Sequence, residues 1–297
     1  MISWFRVSGV MSASLLLSAV AFADVPLSET QDWKLLHYSG SKFLISLDAT
    51  VGFSMLSAED AKKQLYVTDQ GNGYLPKGEK AILLTTESSV LGNHSSFKTW
   101  LDTDMRALER SAIYSGRKDW ARVYRYFPDK VYGLKAKPVG KAEKSLPWSQ
   151  WTNRSEGYFP VEKNSQALVL TEPMGLFYLL RISEFKEPGD LRTFYVYDRD
   201  GTLVVNLRAE AKETIKVDYV SKGAGKEKRV KGKMEILRLT VDAKPLSADK
   251  KEAEFDFMGY KDSINVFYDP LTRIVFRVNG SVDYVGNVEI NLEEVTY

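Results

Sequence analysis

Hydrophobic and polar positions alternate with a period of two along most of the chain that follows the N-terminal segment. In the last such stretch, Val288, Ile290 and Leu292 alternate with polar or charged neighbours. Successive side chains of a β-strand point to opposite faces, so this pattern is typical of a strand with one buried face. The chain is therefore predicted to be all-β.

The same alternation recurs in short segments that are separated by turn residues. These predicted strands lie around 43–47, 81–88, 96–101, 107–114, 121–127, 194–196, 203–207, 215–219, 234–241, 264–268, 274–278 and 288–292. Turn sequences such as Asp198-Arg199-Asp200-Gly201 and Asp269-Pro270 stand between neighbours. This spacing predicts a mainly antiparallel fold: a curved sheet, a sandwich or a partial barrel.

Helix is predicted in only one or two short places. Ser57 followed by Asp60 resembles a capping box, which predicts a short helix through Lys63. The segment 172–181 is apolar nearly all round, as suits a helix that fills the concave face of a sheet. A buried strand explains this short segment equally well, so both interpretations stay open.

The first residues predict an export signal. Arg6 precedes an apolar stretch, and Ala21-Phe22-Ala23 supplies a small-residue cleavage site. These are the parts of a secretory signal peptide. We therefore expect residues 1–23 to be a cleaved signal peptide, the mature protein to be periplasmic or else secreted, and no integral membrane segment to remain after cleavage.

The rest of the chain is predicted to form two β halves within one continuous domain. Residues 24–137 are the N-terminal half, and residues 171–297 are the C-terminal half with its short helix. The segment 138–170 is predicted to connect them, because it begins with a Pro-containing stretch that lacks alternation.

Composition removes several classes of function. The absence of cysteine excludes disulfides and thiol catalysis, and 41 basic against 39 acidic side chains give no argument for nucleic acid as a partner. The Gly- and Lys-rich stretch 221–233 is predicted to be a solvated hairpin tip. Its alternative role is contact with an anionic envelope polymer.

No catalytic or metal-binding pattern is present in the sequence. The two histidines, His37 and His94, lie in separate segments without ligand spacing, so no zinc site and no histidine-dependent triad is predicted. Visible carboxylates such as Glu289 and Glu293 lie on the polar side of a strand and are interpreted as solvated. We predict no catalytic residues, no metal and no cofactor.

Two groups of side chains are candidates for ligand binding. The first group is aromatic and lies near Glu156: Trp148, Trp151 and Tyr158. Aromatic faces stack on sugars, although large aromatics also serve simply to pin a segment to the core. The second group belongs to the apolar segment expected on the concave face: Met174, Phe177 and Leu180. It favours a lipid or another hydrophobic ligand.

A family resemblance covers most of the chain. The segment TEPMGLFYLLR at 171–181 resembles the D-P-L-S-x-L-Y-x-L-R signature of a family of uncharacterised, β-rich exported bacterial proteins known only as a domain of unknown function. Segments 266–277 and 285–290 resemble that family's closing strands, and 36–43 resembles its opening strand. Glu172, Gly175 and Val275 depart from the family's usual Asp, Ser and Pro.

The resemblance implies a curved antiparallel sheet or partial barrel, located in the periplasm or outside the cell, and it carries over no activity. The leading hypothesis is a non-enzymatic envelope protein that binds a lipid or another hydrophobic ligand. The alternatives are a glycan-binding or glycan-acting protein, and a structural module that pairs with a partner through a sheet edge. The sequence leaves the oligomeric state open.

Overall fold

The computed structural model describes residues 33–42, 45–90, 92–198, 201–247, 255–283 and 285–297. Within these ranges the chain is an all-β protein with a few short helices, and the fold class predicted from alternation is confirmed. The predicted signal peptide, Phe43 and the central residues of the turn 198–201 lie outside the described residues.

Among the described residues, fifteen strands form one sheet. The strands are β1 (Leu35–Lys42), β2 (Ile45–Ser57), β3 (Lys80–Val90), β4 (Asn93–Asp102), β5 (Ala107–Ser115), β6 (Trp120–Tyr126), β7 (Lys130–Lys137), β8 (Asn153–Pro160), β9 (Leu170–Thr171), β10 (Leu191–Asp198), β11 (Gly201–Gly223), β12 (Lys226–Pro245), β13 (Tyr260–Tyr268), β14 (Val275–Val282) and β15 (Gly286–Thr296). The helices are α1 (Ala58–Gln64), α2 (Gly140–Lys144) and α3 (Gly175–Ile182).

The sheet consists of two runs of consecutive strands, β1 to β8 and β9 to β15. The two runs are joined where β1 pairs with β15. The order is β8-β7-β6-β5-β4-β3-β2-β1-β15-β14-β13-β12-β11-β10-β9, and every neighbour is antiparallel except β9 beside β10. The pairing of Leu35 with Thr296 and of Ser39 with Asn291 joins β1 to β15. The N-terminal and C-terminal strands therefore belong to one sheet.

The far end of β11 closes part of this sheet on itself. Residues Val220, Ser221 and Lys222 pair in parallel with the last residues of β15, so β11 to β15 form a closed ring of pairings. The turn between β11 and β12 consists of only Ala224 and Gly225, both at positive φ (48° and 74°), as in a type I′ turn. Most of the predicted hairpin tip 221–233 is therefore strand.

Helix α3 fills the concave face, which decides between the helix and the strand interpretations of its segment. Its residues from Gly175 to Arg181 are all buried, as expected for a segment that is apolar on every side. The Phe177 ring lies 6.4 Å from that of Tyr38 and 5.2 Å from that of Phe257. The helix thus contacts both halves of the chain.

Two other local expectations have clear outcomes. The Ser57 hydroxyl accepts a hydrogen bond from the Asp60 N–H at 3.1 Å, and α1 follows as predicted. The segment 138–170, predicted as a connection, contains β8, which pairs with β7 along its whole length. Strand β8 ends the sheet order and has no buried residues, so it lacks the alternation that reveals half-buried strands.

Candidate functional site

A cavity of about 260 Å³ lies on the concave face, between strands β2 to β5, the residues just before α3 and the segment 256–260. Its lining is mostly apolar. The apolar contributors include Leu47, Ala49, Val90, Phe97, Met174 and Ile290. The polar contributors include Thr86, Ser88, Ser95, Arg110, Asp256 and Tyr260.

Strand register arranges the lining side chains in rows from the core to the rim. Arg110 is opposite Thr99, in the row nearest the core, and Thr86 is opposite Phe97 in the next row. Leu47 is opposite Val90, two rows further towards the strand ends. The inner end of the cavity therefore carries the guanidinium, and Leu47 and Val90 are at the rim.

An ion pair is fixed at the inner end. Arg110 Nη1 lies 3.2 Å from Oε2 of Glu172, whose side chain is 2% exposed and whose other oxygen accepts from the Tyr126 hydroxyl. Burial alone lowers the pKa of Arg110, but the Glu172 carboxylate and other nearby groups outweigh it, so the pKa is raised. Arg110 is thus positively charged, and the Glu172 carboxylate offsets part of this charge.

A second carboxylate, Asp256, stands at the side of this cavity opposite the strands. Its Oδ1 accepts a hydrogen bond from the Gly259 N–H at 2.7 Å. Solvent reaches the Asp256 side chain, yet the surrounding protein desolvates it in part and raises its pKa, while the Gly259 N–H and Arg110 act in the opposite direction. Arg110 therefore interacts with two carboxylates.

The apolar candidates from the sequence divide between the cavity and the core. Met174 lines the cavity directly. Phe177 and Leu180, each 1% exposed, lie in the hydrophobic core around α3 instead. These two residues hold the helix in place and so shape the cavity from behind.

The aromatic candidates lie on the opposite face of the sheet. Trp151 is 5% exposed, packs against Ala121 and Ala136, and donates its Nε1–H to the Glu143 carbonyl at 2.8 Å. Trp148 packs beside it. These contacts pin the segment after β7 to the sheet, as the structural interpretation of the aromatic group predicts.

Tyr158 belongs to a neighbouring cluster on that same face. Its ring centroid is 5.3 Å from that of Tyr132 and 5.9 Å from that of Phe127, and its hydroxyl donates to Asp69. The structure therefore does not bring the aromatic candidates together with Met174.

Several residues of the cavity were not indicated by the sequence pattern, namely Thr86, Arg110, Asp256 and Tyr260. The one usable signal was a charged residue at an inward position of a predicted strand. In β5, however, Glu109 is buried on one face and Arg110 points to the other. Because both faces of this strand are covered, alternation could not tell which charge faced a site.

Comparisons with known proteins add no family. No protein-family model matches the chain, and neither a curated protein nor a solved structure matches it.

Over the part of the chain that the structure describes, no three His, Asp or Glu side chains form a group able to hold a metal ion. None of the described helices is long and apolar enough to cross a membrane.

Proposed function

We propose that this protein is a non-enzymatic carrier of the cell envelope that holds a small hydrophobic or amphipathic ligand in its concave cavity. The observation that carries the proposal is the mostly apolar cavity of about 260 Å³ beside α3. Concave, mostly apolar recesses with a few convergent polar groups are the usual form of small-molecule sites.

The size of the cavity limits the ligand. Sites for small molecules typically measure about 300–1,000 Å³, and 260 Å³ lies just below that range. A single short acyl chain or a molecule of similar bulk fits this space. A lipid with several chains does not.

Export to the periplasm belongs to the same proposal. It is supported by the N-terminal pattern of Arg6, an apolar stretch and the Ala21-Phe22-Ala23 cleavage site. A small carrier of apolar compounds suits an aqueous compartment between membranes, because its cavity shields the ligand from water.

The glycan alternative receives no comparable support. A sugar-stacking platform needs exposed aromatic faces, whereas Trp151 is buried against alanines and its indole N–H is already bonded. Binding through a sheet edge, the third hypothesis, makes no use of the cavity.

Filling the cavity tests the proposal. Ala49 lines the cavity, whereas its neighbour Thr50 is on the other face of β2, so Ala49→Phe and Thr50→Phe form a matched pair. With the apolar dye Nile red as a fluorescent probe, we expect Ala49→Phe to weaken binding about tenfold or more, since the ring takes the ligand's space. Thr50→Phe is expected to bind as the wild type does.

A second variant guards against a folding defect in Ala49→Phe. Val90 is half-buried at the rim, so Val90→Trp narrows the entrance with little strain in the core. Circular dichroism and thermal unfolding confirm that each variant is folded. Undiminished dye binding by folded Ala49→Phe and Val90→Trp contradicts the proposed site.

A further inference from the structure

Three residues that line the cavity carry buried polar atoms without a hydrogen-bond partner among the described residues. The atoms are the Thr86 hydroxyl oxygen, Arg110 Nε and the Tyr260 hydroxyl oxygen. Thr86 is only 3% exposed to solvent, and Tyr260 only 2%. An unsatisfied buried polar group costs about 1–3 kcal/mol, and few are left in native proteins. A bound molecule that satisfies all three removes this cost.

The chemistry of these three groups selects a hydrogen-bond acceptor. Arg Nε–H can only donate, and the Thr and Tyr hydroxyls can both donate. Burial raises the pKa of Tyr260, so its hydroxyl keeps the proton that it would donate. The complementary group is therefore an oxygen with free lone pairs, such as a carbonyl.

The charges around the cavity select an uncharged acceptor over an anionic one. The charge of Arg110 is balanced by Glu172 at 3.2 Å, and Asp256 adds a second carboxylate nearby. Asp48, also in the lining, accepts from His37 at 2.7 Å. A carboxylate or phosphate headgroup would add negative charge where carboxylates already outnumber guanidinium groups, and this repulsion disfavours it.

We infer that the ligand is an uncharged amphipath, an acyl ester or amide, whose carbonyl oxygen is held by Thr86, Arg110 and Tyr260. This inference rests on the proposed function and specifies its ligand. The row order orients the molecule, since Arg110 and Thr86 are at the inner end and Leu47 and Val90 are at the rim. The polar head enters first, and the alkyl chain runs outwards past Leu47 and Val90.

Competition between two molecules with the same chain tests this headgroup rule. Monododecanoylglycerol is an uncharged ester, and dodecanoate is the matching anion. We expect the ester to displace Nile red from the full-length mature protein at neutral pH at about tenfold lower concentration than dodecanoate, the ratio expected for about 1.4 kcal/mol. Equal or tighter binding of dodecanoate overturns the inference.

Variants of the donors complete the test. Tyr260→Phe and Thr86→Val remove hydroxyls at nearly constant volume, so each should weaken ester binding about three- to tenfold. Tyr197→Phe, a buried tyrosine outside the cavity lining, is the control and should leave ester binding unchanged. Ester affinity that is unchanged in Tyr260→Phe and Thr86→Val also overturns the inference. If the wild-type protein binds neither Nile red nor any dodecanoyl compound, it is the proposed function that fails.

Discussion

At the scale of single residues, buried charges fasten irregular segments to the sheet. Glu109 is 3% exposed and accepts from the Tyr66 N–H at 2.6 Å, while fully buried Arg125 donates to the carbonyls of Tyr66 and Tyr74 at 3.2 and 2.7 Å. Glu109 and Arg125 approach to 4.0 Å. Burial raises the pKa of Glu109 to about 7, against the opposing effects of the Tyr66 N–H and Arg125.

This raised pKa predicts an unusual pH dependence of stability. The native state binds a proton at Glu109 more tightly than the unfolded chain does. The contribution of protonated Glu109 to the unfolding free energy is therefore complete below about pH 4.5 and is lost as the pH rises through about 7. We expect Glu109→Gln to flatten the curve of unfolding free energy in that window, where the wild-type slope from this group approaches about 1 kcal/mol per pH unit. Urea unfolding at a series of pH values measures it. Exposed Glu87→Gln is the control, and identical slopes for the wild type and Glu109→Gln contradict the account.

Arg181 is a second buried charge whose removal should be costly. It is 2% exposed, its guanidinium carbon lies 4.0 Å from the Phe53 ring centroid, and its Nη1 donates to the Trp33 carbonyl at 2.6 Å. We expect Arg181→Ala to lower the unfolding free energy by about 2–4 kcal/mol, because packing, a cation–π contact and a buried hydrogen bond are lost together. Exposed Arg208→Ala should change it by less than about 0.5 kcal/mol. Similar effects of the two variants in urea unfolding would refute this role.

Residue by residue, the sequence identified only part of the site. Met174 was indicated because it belongs to a conspicuous apolar segment. Arg110 and Tyr260 lie far apart in the chain and line the same cavity only because of the tertiary fold, which the local pattern does not encode. Strand alternation reports which side chains are buried, but it does not report which buried polar atoms lack partners.

At the scale of elements, α3 is the piece that shapes the concave face. Its C-terminal carbonyls are satisfied by the end of β13 and the turn after it. Arg273 Nη1 donates to the Arg181 carbonyl at 3.0 Å, and the Tyr268 hydroxyl donates to that of Ser183 at 3.1 Å. At its start, Gly175 approaches Thr171 so closely that an added Cβ would lie 2.6 Å from the threonine hydroxyl oxygen. The glycine thus permits the close turn from β9 into α3.

A double-mutant cycle tests this close approach. Gly175→Ala should destabilise the protein by about 1–3 kcal/mol, because the new methyl group meets Thr171. Thr171→Ala clears the hydroxyl and leaves the nearest threonine atom, its Cβ, at 3.7 Å, so the double variant should recover part of the loss. Thermal unfolding of the four proteins gives the coupling energy. Strict additivity of the two changes would show that this contact does not position the helix.

The elements also show where the period-two pattern succeeds and fails. Half-buried strands such as β15 were predicted within a few residues, because their alternation is strong. Alternation does not predict strand β8, because its residues are exposed or only half-buried. The lysine-rich stretch 221–233 predicts a solvated hairpin tip, whereas β11 and β12 continue through most of it. Their pairing with each other and with β15 overrides that composition.

At the scale of the whole molecule, one hydrophobic core extends through both halves of the chain. It contains Val51 and Ile82 from the N-terminal strands together with Leu237 and Val278 from the C-terminal ones. The β1–β15 pairing, which joins residues from the two ends of the described chain, cannot be inferred from local periodicity. The all-β class followed from the sequence, whereas the order of the strands did not.

A shared core predicts cooperative unfolding. Tryptophan fluorescence and far-ultraviolet circular dichroism should give one coincident transition in urea, because neither half has a complete core of its own. For the same reason, separately expressed fragments 33–139 and 140–297 should each lack cooperative unfolding. A fragment that unfolds cooperatively by itself would contradict the description of one continuous core.

Native mass spectrometry of the protein, exported with its own N-terminal segment and purified without detergent, tests ligand carriage most directly. The account predicts a discrete adduct the size of a single-chain ester or amide on the wild type and on Thr50→Phe, and its loss from folded Ala49→Phe. The denatured mass reports at the same time whether cleavage follows Ala23. A wild-type protein that carries no adduct and takes up no apolar probe, or an adduct that survives in Ala49→Phe, would contradict the account.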